Sequence, residues 1–458
     1  MQAKKFGVKD QFGYSFGDMG GSFVNLYIDA FFLTFCTYVL GVSPYYMGML
    51  FLVARIWDAF SDVIMGSIPD RWKLGKSGDK FKPYIKVAMF PLALAPLFAF
   101  ADVSSFSSTM LHIWITVVYL FYGMAYTAVS IPYGSMAAVI TQDSVERTKL
   151  SRARTMGALI PGILTMAIVP LLIFDSTGNV IPESFFNIGL IFGVLSILCY
   201  VGLLKFSTER IRDDGPKEEK EKYTFKEVLK AVGKNRPLIG VMVATIGIMI
   251  QGIAAGQLGA HLFKEYYGVP QALSFLMLGM IAIMFVLFPF IPKLTKRFGK
   301  RNLILATGSF SLVAALFLFF VPIPNPYVFI ALFTLVNISL AVFQILVWAI
   351  VTDCLDYNEY ITGKRFDGTI YAIYTFSRKV GTGIASSAAS FGLGAIGFVS
   401  GASSQTPQVT ENIRYLFTGI PVVGAIIVLI GIGFIYNLTG PKTEAISAEL
   451  EERRQKAS

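Results

Sequence analysis

The sequence predicts an all-α membrane protein with twelve transmembrane helices in two six-helix bundles, and three observations lead to this prediction. Of the 458 residues, 54% are hydrophobic and only 15% are charged, which is more apolar than a domain that needs a water-facing surface. Long apolar stretches follow one another along the chain. A single long charged segment near the middle divides these stretches into two sets.

The apolar stretches have the length of membrane crossings. A helix needs about 20 apolar residues to span roughly 30 Å of hydrocarbon. Buried helices of a large soluble protein can reach this length, but so many in succession favour a membrane protein. We predict transmembrane helices at 16–40, 45–68, 84–103, 111–138, 155–174, 185–205, 237–262, 270–292, 302–322, 325–352, 368–396 and 413–437.

Lysine and arginine residues are concentrated in alternate loops. The predicted loops around 71–82, 147–154 and 293–301 are rich in them, whereas the loops on the other side hold only Lys264 and Arg414 as strong bases. The positive-inside rule therefore predicts that both termini are cytoplasmic. Nothing at the start of the chain resembles a cleavable signal peptide.

The charged segment 206–236 is predicted to be a cytoplasmic linker between an N-terminal bundle, 1–205, and a C-terminal bundle, 237–437. The remaining residues, 438–458, are predicted to form a cytoplasmic tail. The two halves echo each other weakly, since AVITQDSVERTKLSRAR and AIVTDCLDYNEYITGKR end the fourth and tenth spans. Such an echo indicates a duplicated unit, as found in many secondary transporters.

Composition argues against several classes of protein. The net charge of +10 comes from residues spread over short loops, whereas nucleic-acid binding needs basic residues gathered on one surface. Three cysteines and two histidines are too few and too scattered for a Cys/His metal site. No nucleophile–base pair or phosphate-binding loop is recognisable, so neither an enzyme nor a cofactor is expected.

The second predicted span contains charges that lipid disfavours. Asp58 and Asp62 share one helical face, and Arg55 lies on nearly the same side. Two carboxylates close together in a low dielectric repel each other until a cation or a proton joins them. We therefore expect a cation-sensitive site here. The structural alternative is an intrahelical Arg55–Asp58 pair with Asp62 near the headgroups.

The eleventh predicted span contributes bases and an aromatic residue. Arg378 and Lys379 lie within it, with Tyr374 one turn before Arg378. Lys379 and Asp58 fall at similar predicted depths, about 15 Å from the cytoplasmic end. Lys379 is therefore expected to be a charge partner of the acids, unless both bases extend to the headgroups.

A polar stripe follows helical spacing in the first span. It contains Asp18, Ser22, Asn25 and Asp29, which suit the hydroxyls of a sugar. Bonds to neighbouring helices are the alternative role. Further residues that could line a cavity, or could merely pack, are Tyr126, Ser130 and Tyr133 in the fourth span and Gln344 and Trp348 in the tenth.

The chain resembles the glycoside–pentoside–hexuronide:cation symporters, the group that includes the melibiose carrier. The matching strings run nearly end to end: FGYSFGD, LFLVARIWDAFSDVIMG, DKFKPYI, YGMAYTAVSIPY, DCLDYNEY and DGTIYAIYTFSRKVG. The resemblance implies a major facilitator fold in a bacterial inner membrane. It also implies cation binding by Asp58, Asp62 and Thr127 and a functional lysine at Lys379.

Departures from the melibiose carrier concern the substrate. Ser22 and Ser130 stand where that carrier has sugar-binding aspartates, and Gly134 stands where it has a tryptophan. We therefore hypothesise that Asp29 supplies a carboxylate from a shifted position. Arg154 and Arg378 are candidate partners for a uronate carboxylate.

The expected activity is sugar or glycoside symport with Na⁺ or H⁺ by alternating access, in a monomer surrounded by membrane lipid. A hexuronide symporter, a lipid or lysolipid carrier, and a receptor without transport are the alternatives. Residues expected to latch the cytoplasmic face are Asp18, Asp143, Asp353, Asp356 and Glu359, although loop charges also attract anionic lipid.

Overall fold

The chain forms two compact units in a computed structural model. Unit 1 comprises Met1–Pro216 with Phe398–Gln405, and unit 2 comprises Lys217–Gly397 with Thr406–Ser458. The structure describes residues 6–71, 74, 79–141, 143–210, 233, 235–363, 367–402 and 404–457. Most of the predicted linker 206–236 lies outside these residues.

Unit 1 is built from long helices that follow the predicted crossings. The fifth crossing is continuous but changes pitch, because a π-helical turn at Leu164–Ile168 joins α5 to α6. The helices are α1 (Val8–Tyr38), α2 (Pro44–Arg71), α3 (Lys82–Ala99), α4 (Ser108–Ile140), α5 (Ser144–Ile163), α6 (Val169–Ile173) and α7 (Pro182–Phe206).

Unit 2 repeats this pattern and adds a C-terminal helix. Two crossings are interrupted: α9 and α10 meet at a bend of 61°, and Asn337 separates α12 from α13. The helices are α8 (Arg236–His261), α9 (Ala272–Leu287), α10 (Ile291–Phe298), α11 (Lys300–Phe320), α12 (Pro326–Val336), α13 (Ile338–Thr362), α14 (Asp367–Ala395), α15 (Pro407–Ile430) and α16 (Gly440–Ala457).

Eight helical segments among the described residues are long and apolar enough to cross a membrane, and a ninth forms if α9 and α10 count as one span. The three other predicted crossings coincide with α2, α3 and α14. Each of these contains charged residues, which lower its mean hydropathy. The described chain therefore has a helix at each of the twelve predicted positions, and the least apolar ones include α2 with Asp58 and α14 with Lys379.

The first helix lies at the centre of unit 1 and packs against α3, α5 and α7. Its approach to α5 is close, because a methyl group at Gly157 would lie 2.2 Å from the carbonyl oxygen of Ser15. Further along α1, the buried ring of Tyr27 packs against Phe100, with ring centroids 4.4 Å apart. Tyr27 also donates its hydroxyl to the Phe185 carbonyl oxygen at 2.8 Å. The α1 side chains are thereby held in fixed positions.

The chain that follows α7 fastens several helix ends of unit 1. The Glu209 carboxylate accepts from the backbone N–H groups of Lys80 and Lys82, at 2.6 and 2.8 Å, where α3 begins. Arg210 forms a two-point ion pair with buried Asp10 at the start of α1, with its shorter contact at 2.7 Å. The Glu209 bonds satisfy backbone N–H groups near the start of α3, which a helix leaves open, and the Arg210 ion pair joins this segment to the start of α1.

Unit 1 also includes Phe398–Gln405, a stretch that lies between two helices of unit 2 in the sequence. Gly401 donates its backbone N–H to the Thr37 carbonyl oxygen at 2.9 Å. Ser400 donates its hydroxyl to the Val42 carbonyl oxygen at 2.7 Å. No pattern in the sequence predicted this assignment, which depends on contacts far apart along the chain.

Candidate functional site

Helices α2 and α4 bring the predicted cation-site residues together. Asp58 and Asp62 lie four residues apart on α2, and Gly123 and Thr127 lie four apart on α4. Thr127 donates from Oγ1 to Asp62 Oδ1 at 3.0 Å. A methyl group at Gly123 would lie only 2.8 Å from Asp58 Oδ1. The two helices thus meet at two levels, one helical turn apart.

This register gives the two carboxylates different surroundings. Asp62 receives a hydroxyl hydrogen bond from Thr127, which is 3% exposed. Asp58 instead lies against the bare backbone of Gly123, where a larger side chain would displace its carboxylate. Carboxylate and hydroxyl oxygens are ligands suited to hard cations.

Arg55 lies between two carboxylates. Its Nη1 is 3.2 Å from Asp58 Oδ2, and its Nη2 is 3.7 Å from Asp29 Oδ1. The intrahelical Arg55–Asp58 pair considered from sequence is therefore present, with the additional partner Asp29 on α1. Asp62 lies one turn beyond Asp58 on the same helix. Carboxylates held close together in a low dielectric repel each other, which favours a bound cation or proton.

Part of the polar stripe of α1 faces the same region. Tyr122 on α4 directs its hydroxyl to Asn25 Oδ1 at 2.8 Å and to Asp29 Oδ1 at 3.4 Å. A single hydroxyl hydrogen serves these two acceptors, and the shorter contact is to Asn25. Asn25 and Asp29 are thus connected to the helix that carries Gly123 and Thr127.

The beginning of the stripe forms a separate ion pair. Asp18 on α1 accepts from Arg154 Nε on α5 at 2.8 Å. The Arg154 side chain is 51% exposed and lies over the ring of Tyr133, 5.5 Å from its centroid. About half of the Arg154 side chain is therefore accessible.

Tyr133 itself is committed to packing. Its ring stacks on that of Tyr14, with centroids 4.6 Å apart, and its hydroxyl donates to the Tyr14 carbonyl oxygen at 2.7 Å. A methyl group at Gly17 would lie 2.2 Å from the Tyr133 ring. Tyr133 is 3% exposed, so it fixes α4 against α1.

The other predicted substrate residues of unit 1 are half-buried. They are Ser22 on α1 and Tyr126 and Ser130 on α4. Gly134, one turn beyond Ser130, is exposed, and no atom lies within 4 Å of the position that a methyl group there would occupy. This part of α4 therefore has open space beside it.

Unit 2 presents aromatic rings at its predicted substrate residues. Trp348 on α13 stacks on Tyr371 of α14, with centroids 4.9 Å apart and an angle of 13° between the rings. Buried Tyr374 meets Trp348 edge-on, at 5.1 Å between centroids. Trp348 and Tyr371 are both exposed. Because stacked rings cover each other's inner faces, the exposed outer face of this pair is the flat aromatic surface that could pack against the apolar face of a sugar ring.

The remaining predicted residues of unit 2 are Gln344 on α13 and Arg378 and Lys379 on α14, and all three are half-buried. Asp58 belongs to unit 1 and Lys379 to unit 2. Their pairing stays a prediction.

The acids predicted to latch the protein have varied surroundings. Asp143 is the N-cap of α5 and accepts from the Glu146 backbone N–H at 2.8 Å. In unit 2, Lys300 Nζ donates to both carboxylate oxygens of Asp353, each at 2.7 Å. Both residues line a cavity of about 220 Å³. Asp356 and Glu359 are half-buried on α13.

The sequence analysis did not single out three residues that contact the predicted site residues: Tyr122, Gly123 and Tyr371. Tyr122 and Gly123 lie one turn before Tyr126 and Thr127, so helical spacing would have indicated both. Tyr371 lies three residues before Tyr374, but only the structure shows that it stacks on Trp348.

Comparison with known proteins identifies relatives over the whole chain. The sequence profile of MFS/sugar transport proteins matches residues 13–440. The uncharacterized symporter YjmB of Bacillus subtilis is 31% identical, with 98% of this chain and 96% of that protein covered. The glucuronide carrier protein homolog of Escherichia coli is 27% identical, with 97% and 95% covered.

A solved structure shares the fold. It is that of a bacterial homolog to the human lysosomal transporter Spinster, in an inward-facing and unoccupied conformation. The TM-score is 0.64 at 13% sequence identity, with 96% of this chain and 97% of that chain covered.

Proposed function

Because the chain belongs to the family of MFS/sugar transport proteins, we propose that unit 1 holds the coupling cation of a sugar:cation symporter at Asp58, Asp62 and Thr127. The chain is a secondary transporter rather than an enzyme. The observation that carries the proposed site is the two-level meeting of α2 and α4, at Asp58 with Gly123 and at Asp62 with Thr127.

Either Na⁺ or H⁺ can act at such a site. Na⁺ would be bound by the carboxylate oxygens and the Thr127 hydroxyl, whereas a proton would neutralise one carboxylate. Arg55 limits the negative charge without removing it, because it already contacts both Asp29 and Asp58. Lys379 is proposed as a second charge partner.

The substrate is proposed to be a sugar or glycoside. In unit 1 its proposed contacts are the polar groups of α1, and in unit 2 they are the exposed rings of Trp348 and Tyr371. Asn25 and Asp29 offer oxygens for sugar hydroxyls, as do Ser22 and Ser130. Because Asp29 also contacts Arg55 at 3.7 Å, a sugar bound there would act on the charges around Asp58. That connection gives sugar and cation a physical route to influence each other's affinity.

An anionic sugar is a second candidate, and Arg154 favours it. Its side chain is half-exposed while Asp18 contacts the guanidinium at Nε. A carboxylate can form paired hydrogen bonds with the remaining guanidinium N–H groups. The relative named a glucuronide carrier protein homolog supports testing uronides, with Arg378 as a further partner.

The membrane placement is also a proposal. Basic loops favour a bacterial cytoplasmic membrane with both termini inside. We propose that the protein works as a monomer by alternating access and needs no cofactor besides its coupling ion. Asp18, Asp143, Asp353, Asp356 and Glu359 are proposed to contribute to closing the cytoplasmic side.

Counterflow in proteoliposomes tests this function. Purified protein would be assayed with a panel of neutral glycosides and uronides, with Na⁺ present or replaced by K⁺ and at two pH values. We expect exchange of at least one sugar class and a dependence on either Na⁺ or pH. Exchange of lysolipids with no sugar response would contradict the proposal.

The role of Asp29 has its own test. Asp29→Asn is expected to abolish sugar binding while the cation still protects the protein against thermal unfolding. Sugar affinity equal to that of the parent would remove Asp29 from the substrate site. Asp175→Asn, at an exposed turn, is the control for a general effect of losing a carboxylate.

A further inference from the structure

The crossing Pro326–Thr362 of unit 2 is interrupted in its interior. Asn337 has φ −83° and ψ 3°, which lies outside the helical region, and it separates α12 from α13. Its backbone N–H reaches the carbonyl oxygens of Phe333 and Thr334 at 3.3 and 3.2 Å. Its side-chain Nδ2 donates to the Phe333 carbonyl oxygen at 2.9 Å. The helix is therefore interrupted at an asparagine and not at a proline, the commonest cause of a sharp kink. Hydrogen bonds of the Asn337 backbone and side chain hold the interruption.

Two neighbouring helices direct polar side chains at this break. Gln251 on α8 donates from Nε2 to the Val336 carbonyl oxygen at 2.8 Å. Ser311 on α11 accepts from the Ser339 backbone N–H at 3.1 Å. Gln251, Ser311, Asn337 and Ser339 are each at most 1% exposed. Polar groups of three helical segments therefore meet at one fully buried place.

Three oxygens at this place have no hydrogen-bond partner among the described residues: Gln251 Oε1, Asn337 Oδ1 and Ser339 Oγ. The amide orientations follow from the contacts, because only Nε2 and Nδ2 can donate to the carbonyl oxygens that they face. Buried polar groups in folded proteins are almost always paired. Three unpaired oxygens at one break therefore indicate a small polar ligand.

The chemistry of these oxygens selects the ligand. Two amide oxygens can only accept, whereas the serine hydroxyl can donate or accept. One water molecule can donate to both amides and accept from the hydroxyl, which gives the three hydrogen bonds typical of buried water. A desolvated cation would find three neutral ligands at these positions, which compensate poorly for lost hydration.

Close packing limits the size of the ligand. Helix α15 approaches α8 so closely that a methyl group at Gly424 would lie 2.7 Å from the Gly247 carbonyl oxygen and 3.1 Å from Gln251 Cβ. The Gln251 side of the break is thus closed by backbone. We propose that a single buried water molecule binds at the break, held by Gln251, Asn337 and Ser339.

A water at this position gives the break a functional property. It can keep its hydrogen bonds while α12 and α13 change their angle, because water reorients more easily than a side chain. Gln344 and Trp348 lie about two and three turns beyond Asn337 on α13. A change of angle at the break would therefore move both.

Structure determination of the full chain in a nanodisc is the direct test, at a resolution that shows ordered water elsewhere in unit 2. We expect a density peak within about 2.6–3.2 Å of the three oxygens, and its loss in Gln251→Met. No peak in the parent would overturn the proposal. A peak at about 2.4 Å that appears only with Na⁺ would overturn it as well, because it would be a cation.

Thermal unfolding provides an independent measure. Without the water, Ser339→Ala removes an unpaired buried hydroxyl and should stabilise the protein or leave it unchanged. With the water, we expect the variant to raise the unfolding equilibrium constant roughly tenfold. Combining it with Gln251→Met should then add less than the single effects predict. Additive effects, or a stabilised Ser339→Ala, would contradict a shared water.

A matched control is Ser390→Ala on α14. Ser390 is equally buried, but its hydroxyl donates to the Ser386 carbonyl oxygen at 2.9 Å. Its effect on unfolding should be additive with that of Gln251→Met, because the two residues have no shared ligand.

Discussion

Two places in the molecule contain different kinds of polar group: the contact of Arg55 with α1 in unit 1 and the helix break of unit 2. Unit 1 has charges there, with Arg55 contacting Asp29 and Asp58. Unit 2 has the neutral Gln251, Asn337 and Ser339 around its helix break, with an aromatic surface further along α13. Charges cost far more to bury than amides and hydroxyls. The difference agrees with the proposals that Asp58 and Asp62 of unit 1 bind an ion and that the helix break of unit 2 binds water.

The largest expected effect comes from removing the paired acids of unit 1. In the double variant Asp58→Ala/Asp62→Ala the negative charge that favours the cation is lost, so concentrative sugar uptake should fall to background. Uptake in energised vesicles, compared with the Asp175→Asn control, measures this. Accumulation at the parent level with unchanged ion dependence would show that the charges of unit 1 are not the coupling site.

Removing Arg55 should affect stability. Arg55→Gln leaves Asp29 and Asp58 without their shared cation, and we expect a loss of about 2 kcal/mol because the pair is only partly buried. Asp29→Asn in the same chain should recover part of the loss. Thermal unfolding of the single and double variants measures the coupling, and independent effects would argue that the 3.7 Å contact contributes nothing.

Closing the space at Gly123 should weaken cation affinity without removing any charge. A methyl group there would displace the Asp58 carboxylate, since the two would be 2.8 Å apart. We expect the half-saturating cation concentration to rise about tenfold, equivalent to 1.4 kcal/mol. Gly134→Ala on the same helix is the control, because its methyl group would meet open space. Equal effects of the two variants would exclude a specific role for Gly123.

The aromatic surface of unit 2 should affect the sugar alone. Trp348→Ala removes the ring that stacks on Tyr371, and we expect the KM for sugar to rise roughly fivefold, within the range of a single aromatic contact. The cation dependence of Trp348→Ala should stay unchanged. The control is Tyr327→Ala, which replaces an exposed tyrosine on α12 and should leave transport unchanged. A changed cation affinity in Trp348→Ala would contradict the proposal that these rings of unit 2 affect sugar binding alone.

The proximity of Asp58 and Asp62 was predictable because helical periodicity connects neighbours on one helix; their role as a cation site stays a proposal. Spacing of four residues placed Asp58 and Asp62 on one face, and the resemblance added Thr127. The partners from other helices were harder to predict. Asp29 was expected to serve the substrate, but its contact with Arg55 depends on how α1 lies against α2. For Tyr133 the sequence left cavity lining and packing open, and the glycine at position 17 lets α1 pack against its ring.

The sequence alone determined the class of protein, the number of helices and the residues whose charge is out of place in lipid, because hydropathy and spacing are local properties. Only the tertiary structure decided that Gly123 faces Asp58, that Trp348 stacks on Tyr371, and that three buried oxygens around the Asn337 break have no partner within the described part of the chain. These features depend on the register between helices that are distant in sequence, and packing sets that register.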